Sequence, residues 1–377
     1  MKAPNCTRAL VVAASLLLAS GIHAAARPKW NLNHLNSILD LGRTAHSAVF
    51  DPATKTMIVF AGAVGTTTVT STNDVLLFSA TGDWSVLIPN GAAGSPPPRY
   101  THTAVYDSAN NRMIVFGGYS FQVGGFLNDV WVLANANGQG GTPTWTQLIP
   151  SGPSPDPRWG HTAVYDPGSN RLIVFAGDNN SVTFSDVWVL RNANGLGGAP
   201  AWTRLAPTGG PPAGQADATA VYDPVNNIMI VFGGGIFQGA SVRPTNALWS
   251  LSHANGLGGT PTWTNLIPDG THGSPGKRWG HSAIYDAANN RMVIFAGGSG
   301  GQDAFPEFND LWVLANANGI GGAPTWTRLH PAGVIPGRRG GHTAVYDPLT
   351  NRVLMYAGDS AEAKFFTVWT LTDANGL

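Results

Sequence analysis

Residues 102–118 read His102-Thr103-Ala104-Val105-Tyr106-Asp107-Ser108-Ala109-Asn110-Asn111-Arg112-Met113-Ile114-Val115-Phe116-Gly117-Gly118. The first six residues alternate in polarity, as a half-buried strand does. The Ser-Ala-Asn-Asn stretch suits a turn, and Met113 to Phe116 form a run that is apolar on both faces. The opening phrase recurs, with small changes, from His46, His102, His161, Ala218, His281 and His342, at spacings of 56, 59, 57, 63 and 61 residues. Each copy continues through a variable stretch to a third apolar segment, such as Asp129-Val130-Trp131-Val132-Leu133, and a fourth, such as Trp145-Thr146-Gln147-Leu148. The unit is therefore four short strands without a helix. Such a unit cannot bury an apolar strand alone, so successive units must stack, as propeller blades do.

The features that carry a family likeness are Arg158 three residues before His161, the small pairs Gly117-Gly118, Gly233-Gly234 and Ala296-Gly297 ending second strands, and repeated tryptophans. Trp131, Trp188, Trp249 and Trp312 fall on third strands, and Trp145, Trp202, Trp263 and Trp326 on fourth strands. The chain resembles the kelch-repeat family over residues 27 to 377, which implies an all-β, six-bladed kelch-type β-propeller. Kelch-like propellers serve both as enzymes and as binding scaffolds, so the likeness does not choose a function. The copper site of galactose oxidase, another such propeller, needs a cysteine cross-linked to tyrosine, and nothing here resembles it; no cofactor is expected.

Spacing predicts how the ring closes. A fourth-strand Trp precedes the next repeat's first-strand position by 16 residues at Trp145, Trp202 and Trp326, and Trp30 precedes His46 by the same 16. Trp30 thus reads as a fourth strand with no repeat before it, and the last repeat reaches Leu377 without one. The N-terminal strand should complete the C-terminal blade beside Trp369, which removes an exposed sheet edge; a chain that is a fragment of a longer protein with further blades would show the same missing strand. The third-strand tryptophans, Trp131 and Trp312 among them, are expected to pack between blades.

Composition narrows the function classes. Charged residues make up 11% of the chain against a usual ~25%, with 21 bases, 21 acids and no like-charge run, so nucleic-acid and polybasic membrane partners lack their raw material. Residues 1–26 carry Lys2 and Arg8, an apolar run from Ala9 to about Ala19 and small residues at Ala24 and Ala26, the pattern of a cleavable signal peptide. The run is too short to span a membrane, so the mature chain has no expected membrane span and its location is secreted or periplasmic. Cys6, the one cysteine, falls in the removed segment, which leaves no thiolate site.

Repeat-wide residues read first as scaffold. His46, His102, His161, His281 and His342 occupy one position, and as a repeated feature they fit packing better than metal binding; no metal site is expected. The Asn135-Ala136-Asn137-Gly138 segment, repeated from Asn192, His253 and Asn316 and in part from Thr372, offers Asn where calcium would want Asp, and reads as a positive-φ hairpin turn. Asp51, Asp107, Asp166, Asp223, Asp286 and Asp347 share one position, and Asp74, Asp129, Asp186 and Asp310 another. Outside these sets stand Asp178, Asp303, Glu307, Asp359 and Glu362 in variable loops that also carry aromatic residues, and Asp217.

The fourth repeat departs from the others. It has Gln215 and Ala218 where they have Arg and His, Ile228 where others have Arg, and Asp217 where they have a neutral residue. Drift or a ligand could account for this. On the ligand reading Arg158, Trp159, Arg278 and Trp279 flank it, with Asp178, Arg243 and Glu307 reachable from loops, a set able to orient an acidic sugar. Two functions follow: an exported module binding a glycan or a protein partner, or a carbohydrate-active lyase, epimerase (as in the kelch-like N-acetylneuraminate epimerase) or hydrolase with Asp217 or Glu307 as acid or base.

Overall fold

A computed structural model describes residues 27–33, 42–65, 68–238, 241–300, 307–361 and 363–377; the leader-like segment 1–26 lies outside them. Each repeat folds as one antiparallel blade, exemplified by Thr103–Asp107, Arg112–Ser120, Gly125–Ala134 and Thr144–Leu148. The first strands of adjoining blades lie against one another around a common axis, which makes them the inner strands, and the fourth strands lie outermost. In the third blade the inner strand Thr162–Asp166 alternates buried and half-buried residues, while Leu172 to Phe175 on the second strand are all buried, as the two hydropathy patterns require.

The ring closes through the N-terminal strand. Lys29–Asn33 pairs antiparallel with Val368–Thr372, placing Trp30 opposite Leu371 and Leu32 opposite Trp369, so the sixth blade gains its fourth strand from the other end of the chain.

Three contacts join neighbouring blades. The first is aromatic. Trp145 meets Phe60, Trp202 meets Phe116, Trp263 meets Phe175, Trp326 meets Phe232 and Trp30 meets Phe295, with ring centroids 4.9–5.3 Å apart. These five fourth-strand tryptophans thus fill the seam against the second-strand phenylalanine of the preceding blade, and Trp84 does the same against Tyr356 at 4.7 Å. Trp131 and Trp312 also pack, as expected, against the clusters between their blade and the preceding one, but both are only half-buried, and their indole N–H groups donate to Asp129 and Asp310 at 2.7 Å within their own blades.

The second contact runs through the Asn-Gly turns. Beyond supplying positive-φ residues, they reach into the preceding blade: Asn137, Asn194, Asn255, Asn318 and Asn375 donate side-chain N–H bonds of 2.6–2.7 Å to Asp51, Asp107, Asp166, Asp223 and Asp286. The third uses the histidines. Nε2 of His102, His161, His281, His342 and His46 bonds a Ser or Thr hydroxyl of the preceding inner strand at 2.7–2.8 Å. Ala218 cannot make this bond, so the seam between the third and fourth blades lacks it.

Candidate functional site

At one end of the axis, the six residues immediately before the histidine position form a closed ring of backbone hydrogen bonds. Thr101 N–H donates to Ala45, Gly160 to Thr101, Asp217 to Gly160, Gly280 to Asp217, Gly341 to Gly280 and Ala45 to Gly341, at 2.7–3.0 Å. All six have φ between 51° and 63°, the left-handed region. Three of the six are glycine, for which that region is free of steric cost, and Asp enters it more readily than most side chains. Asp217 is the one ionisable residue of this ring.

The ring floors a pocket of about 530 Å³ on the axis. Its walls come from the residues beside the repeat arginines, including Tyr100, Trp159 and Trp279, and from the variable loops, which add Phe121 and Phe237. Phe237 lies edge-on to both Trp159 and Trp279, with centroids 5.0 and 5.7 Å away, and Tyr100 stacks on Phe121 at 5.0 Å. Three carboxylates, Asp217, Glu307 and Asp359, and one ammonium, Lys364, complete the charged lining.

The carboxylates differ in their surroundings. Asp359 accepts the Thr44 hydroxyl at 2.9 Å and interacts with Lys364, although burial still holds its pKa above the usual carboxylate range. Glu307 accepts the Ala361 N–H at 3.1 Å and acts on Arg339. Asp217 meets no hydrogen-bond donor and no cation among the described residues. Burial, with the charge of Asp178 added, pushes its carboxyl up to about 7. Its Oδ1 packs so close to Gly160 that a Cβ there would come within 2.9 Å, so the glycine makes room for the carboxylate.

Asp217, Glu307, Trp159 and Trp279 line this pocket; the remaining residues of the expected set do not. Arg158 and Arg278 are fully buried and committed to Asp186 and Asp310, with both guanidinium forks engaged at 2.6–3.2 Å. Phe184 and Phe308 cover them at 4.0 and 4.2 Å. The expectation that these arginines hold an acidic ligand is corrected on that ground: their forks are spent inside the blade. Asp178 is buried and caps its own loop by accepting Asn180 N–H and the Thr183 hydroxyl. Arg243 is exposed on the hairpin of Gly235–Gln238 and Ser241–Pro244, opposite Ile236, and faces a separate outer cavity with Asp269 and Lys277. Asp303, Phe305 and Glu362 lie outside the described residues.

Sequence reasoning missed the pairing of the repeat arginines with the repeat aspartates. A signal was present: the fourth blade loses both together, having Gln215 and Ala247 where the first, second, third and fifth carry Arg and Asp. In the sixth blade Arg339 keeps its place while Thr367 replaces the aspartate, and burial lowers its pKa to about 10, with Glu307 opposing the shift. The repeat histidines line the same pocket with their Nε2 atoms engaged by the Ser and Thr hydroxyls of the inner strands. Burial, with the neighbouring arginines adding, lowers His161 and His342 to about 3 and the other three well below their ordinary value.

The profile of the KLHDC2/KLHL20/DRC7 Kelch-repeats domain matches residues 23–195 and 140–272. The chain is 28% identical over 273 residues to the Arabidopsis thaliana serine/threonine-protein phosphatase BSL2, covering 69% of this chain and 24% of that protein. It is 28% identical over 288 residues to Adagio-like protein 3 of Oryza sativa subsp. japonica, covering 76% and 41%. It is 29% identical over 269 residues to the Caenorhabditis elegans host cell factor homolog hcf-1, covering 64% and 33%. The chain thus spans less than half the length of these relatives. Among solved structures, one described as "Structure of YjhT" matches with a TM-score of 0.59 at 15% identity, covering 88% of this chain and 94% of that one, a likeness of fold. No helix among the described residues is long and apolar enough to cross a membrane.

Proposed function

The chain belongs to the kelch-repeat family, and from that premise we propose that it is an exported binding module that takes a saccharide in its axial pocket. The observation that carries this reading is the pocket itself. Its volume of about 530 Å³ lies in the usual small-ligand range, and its walls combine Trp159, Trp279, Phe237, Tyr100 and Phe121 with a few carboxylates. Aromatic faces stack on the C–H faces of a sugar ring, while carboxylates accept its hydroxyl protons. The signal-peptide pattern of residues 1–26 supports a location where glycans are available. A glycan array of the mature protein, followed by calorimetry on any hit, tests the reading. Trp159→Ala and Trp279→Ala should each weaken a hit by at least about tenfold, and unchanged affinity in both variants contradicts it.

A second reading, catalysis on the bound sugar, is favoured by Asp217. A carboxyl pushed up to about 7 exchanges protons readily at neutral pH, as a general acid or base must. Product analysis of any bound saccharide after prolonged incubation separates turnover from binding. A protein partner, the other expectation, would use the loop rim around the same pocket.

A further inference from the structure

The charge balance of the axial pocket goes further than its shape. Every repeat arginine is withdrawn from it: Arg43, Arg99, Arg158 and Arg278 are buried in ion pairs with Asp74, Asp129, Asp186 and Asp310, and Arg339 lies buried under Phe365 at 4.1 Å. Lys364 comes from the sixth blade and reaches the first, where its Nζ donates to Ala63 O at 3.4 Å, and it interacts with Asp359. The fourth blade, across the axis, has lost Arg and His to Gln215 and Ala218 and gained Asp217.

Asp217 stands in the ring between Gly160 and Gly280, neither of which has a side chain to screen it. The residues just before those glycines are Trp159 and Trp279, and Phe237 bridges the two indoles. A carboxylate without a cation that shares a pocket with three aromatic side chains is the arrangement that recognises an organic ammonium: the rings offer their negative faces and the carboxylate supplies the counter-charge. An acidic sugar meets the opposite conditions, because no guanidinium among the described residues faces the pocket.

We propose that the axial pocket selects a positively charged sugar, an amino sugar whose ammonium group seats on Asp217 between Trp159, Phe237 and Trp279. This rests on the saccharide reading and specifies its chemical class. Other ionisable groups around the pocket are Asp178, whose charge acts on Asp217, Glu307, Asp359, Lys364 and all five repeat histidines, His46, His102, His161, His281 and His342, each held neutral by burial.

The test uses the mature protein and a matched pair of probes, methyl N,N,N-trimethylglucosaminide and methyl N-acetylglucosaminide, with affinity read by calorimetry. The trimethylated probe carries its charge at every pH, so the pH dependence of binding belongs to the protein. At about pH 8 it should bind at least about tenfold tighter than the acetylated probe, the scale of a desolvated cation–π contact reinforced by the counter-charge of Asp217. Its affinity should fall about tenfold by about pH 6 as Asp217 takes up a proton. Asp217→Asn, which preserves shape, should abolish both the preference and the pH dependence; the wild-type measurements stand even where the variant fails to fold.

Equal affinity for the two probes overturns the inference and leaves the saccharide reading intact. So does an array on which only neutral or acidic sugars bind. Binding of a lysine methyl ester with neither sugar bound supports the ammonium site and overturns the saccharide reading. Retention of the preference in a folded Asp217→Asn protein overturns the inference.

Discussion

Replacing Trp263 by Ala tests the proposed seam between blades. The side chain is 2% exposed, lies 4.9 Å from Phe175 of the preceding blade and 6.5 Å from Trp249, and is packed with Ile173, Val189 and Leu251. Truncating a large buried aromatic of this kind costs about 3–5 kcal/mol. The Trp263 Nε1 is buried without a hydrogen-bond partner. Trp263→Phe removes that N–H and keeps most of the apolar bulk, so it should cost no more than about 1.5 kcal/mol. Trp312 is the matched control. It is half-buried at the margin of its inter-blade cluster, and its loss removes one hydrogen bond to Asp310, which Arg278 still holds with two N–H bonds. The expected cost of Trp312→Ala is about 1–2 kcal/mol. Equilibrium urea unfolding followed by far-UV circular dichroism measures all three without relying on tryptophan emission. A Trp312→Ala cost equal to or above that of Trp263→Ala refutes the assignment of the seam to the fourth strands.

Two further predictions address closure and acid. Deleting residues 27–33 removes the strand paired with Val368–Thr372 and uncovers Phe295, so the single cooperative transition should be lost and the protein should aggregate; an unchanged melt contradicts the closure. His46, His102, His161, His281 and His342 have depressed pKa values, so the stability they contribute is present above about pH 6.5 and is lost as pH falls toward their folded values. Asp217 works in the opposite sense, since its raised pKa contributes stability at low pH that is lost as pH rises through about 7. Five sites against one make the net stability fall as pH drops below about 6.5, checked by urea midpoints across the pH range. A flat profile between about pH 6 and 4.5 contradicts neutral, buried imidazoles.

The fold was legible because its signal repeats. Alternation in Thr-Ala-Val-Tyr-Asp and the apolar run after it set the two inner strands, and the 16-residue spacing from Trp30 to His46 marked a strand that belongs to the far end of the chain. Which tryptophan fills the seam was not legible. Third and fourth strands both carry one, and the third strand is apolar on both faces, so parity assigns neither side to the neighbouring blade. The site was legible in part for a related reason. Asp217 and its flanking Trp159 and Trp279 stand out against the repeat. Arg158 and Arg278 looked available because a side chain's commitment to an aspartate about 30 residues away is a tertiary fact that neither position shows alone.

A crystal structure of the mature protein with a saccharide identified on the array would locate the binding site directly. The sugar should lie on the axis, stacked against Trp159 or Trp279 and within hydrogen-bond distance of Asp217. A sugar found in the outer cavity beside Arg243, or on the blade edges with the axial pocket empty, contradicts that placement.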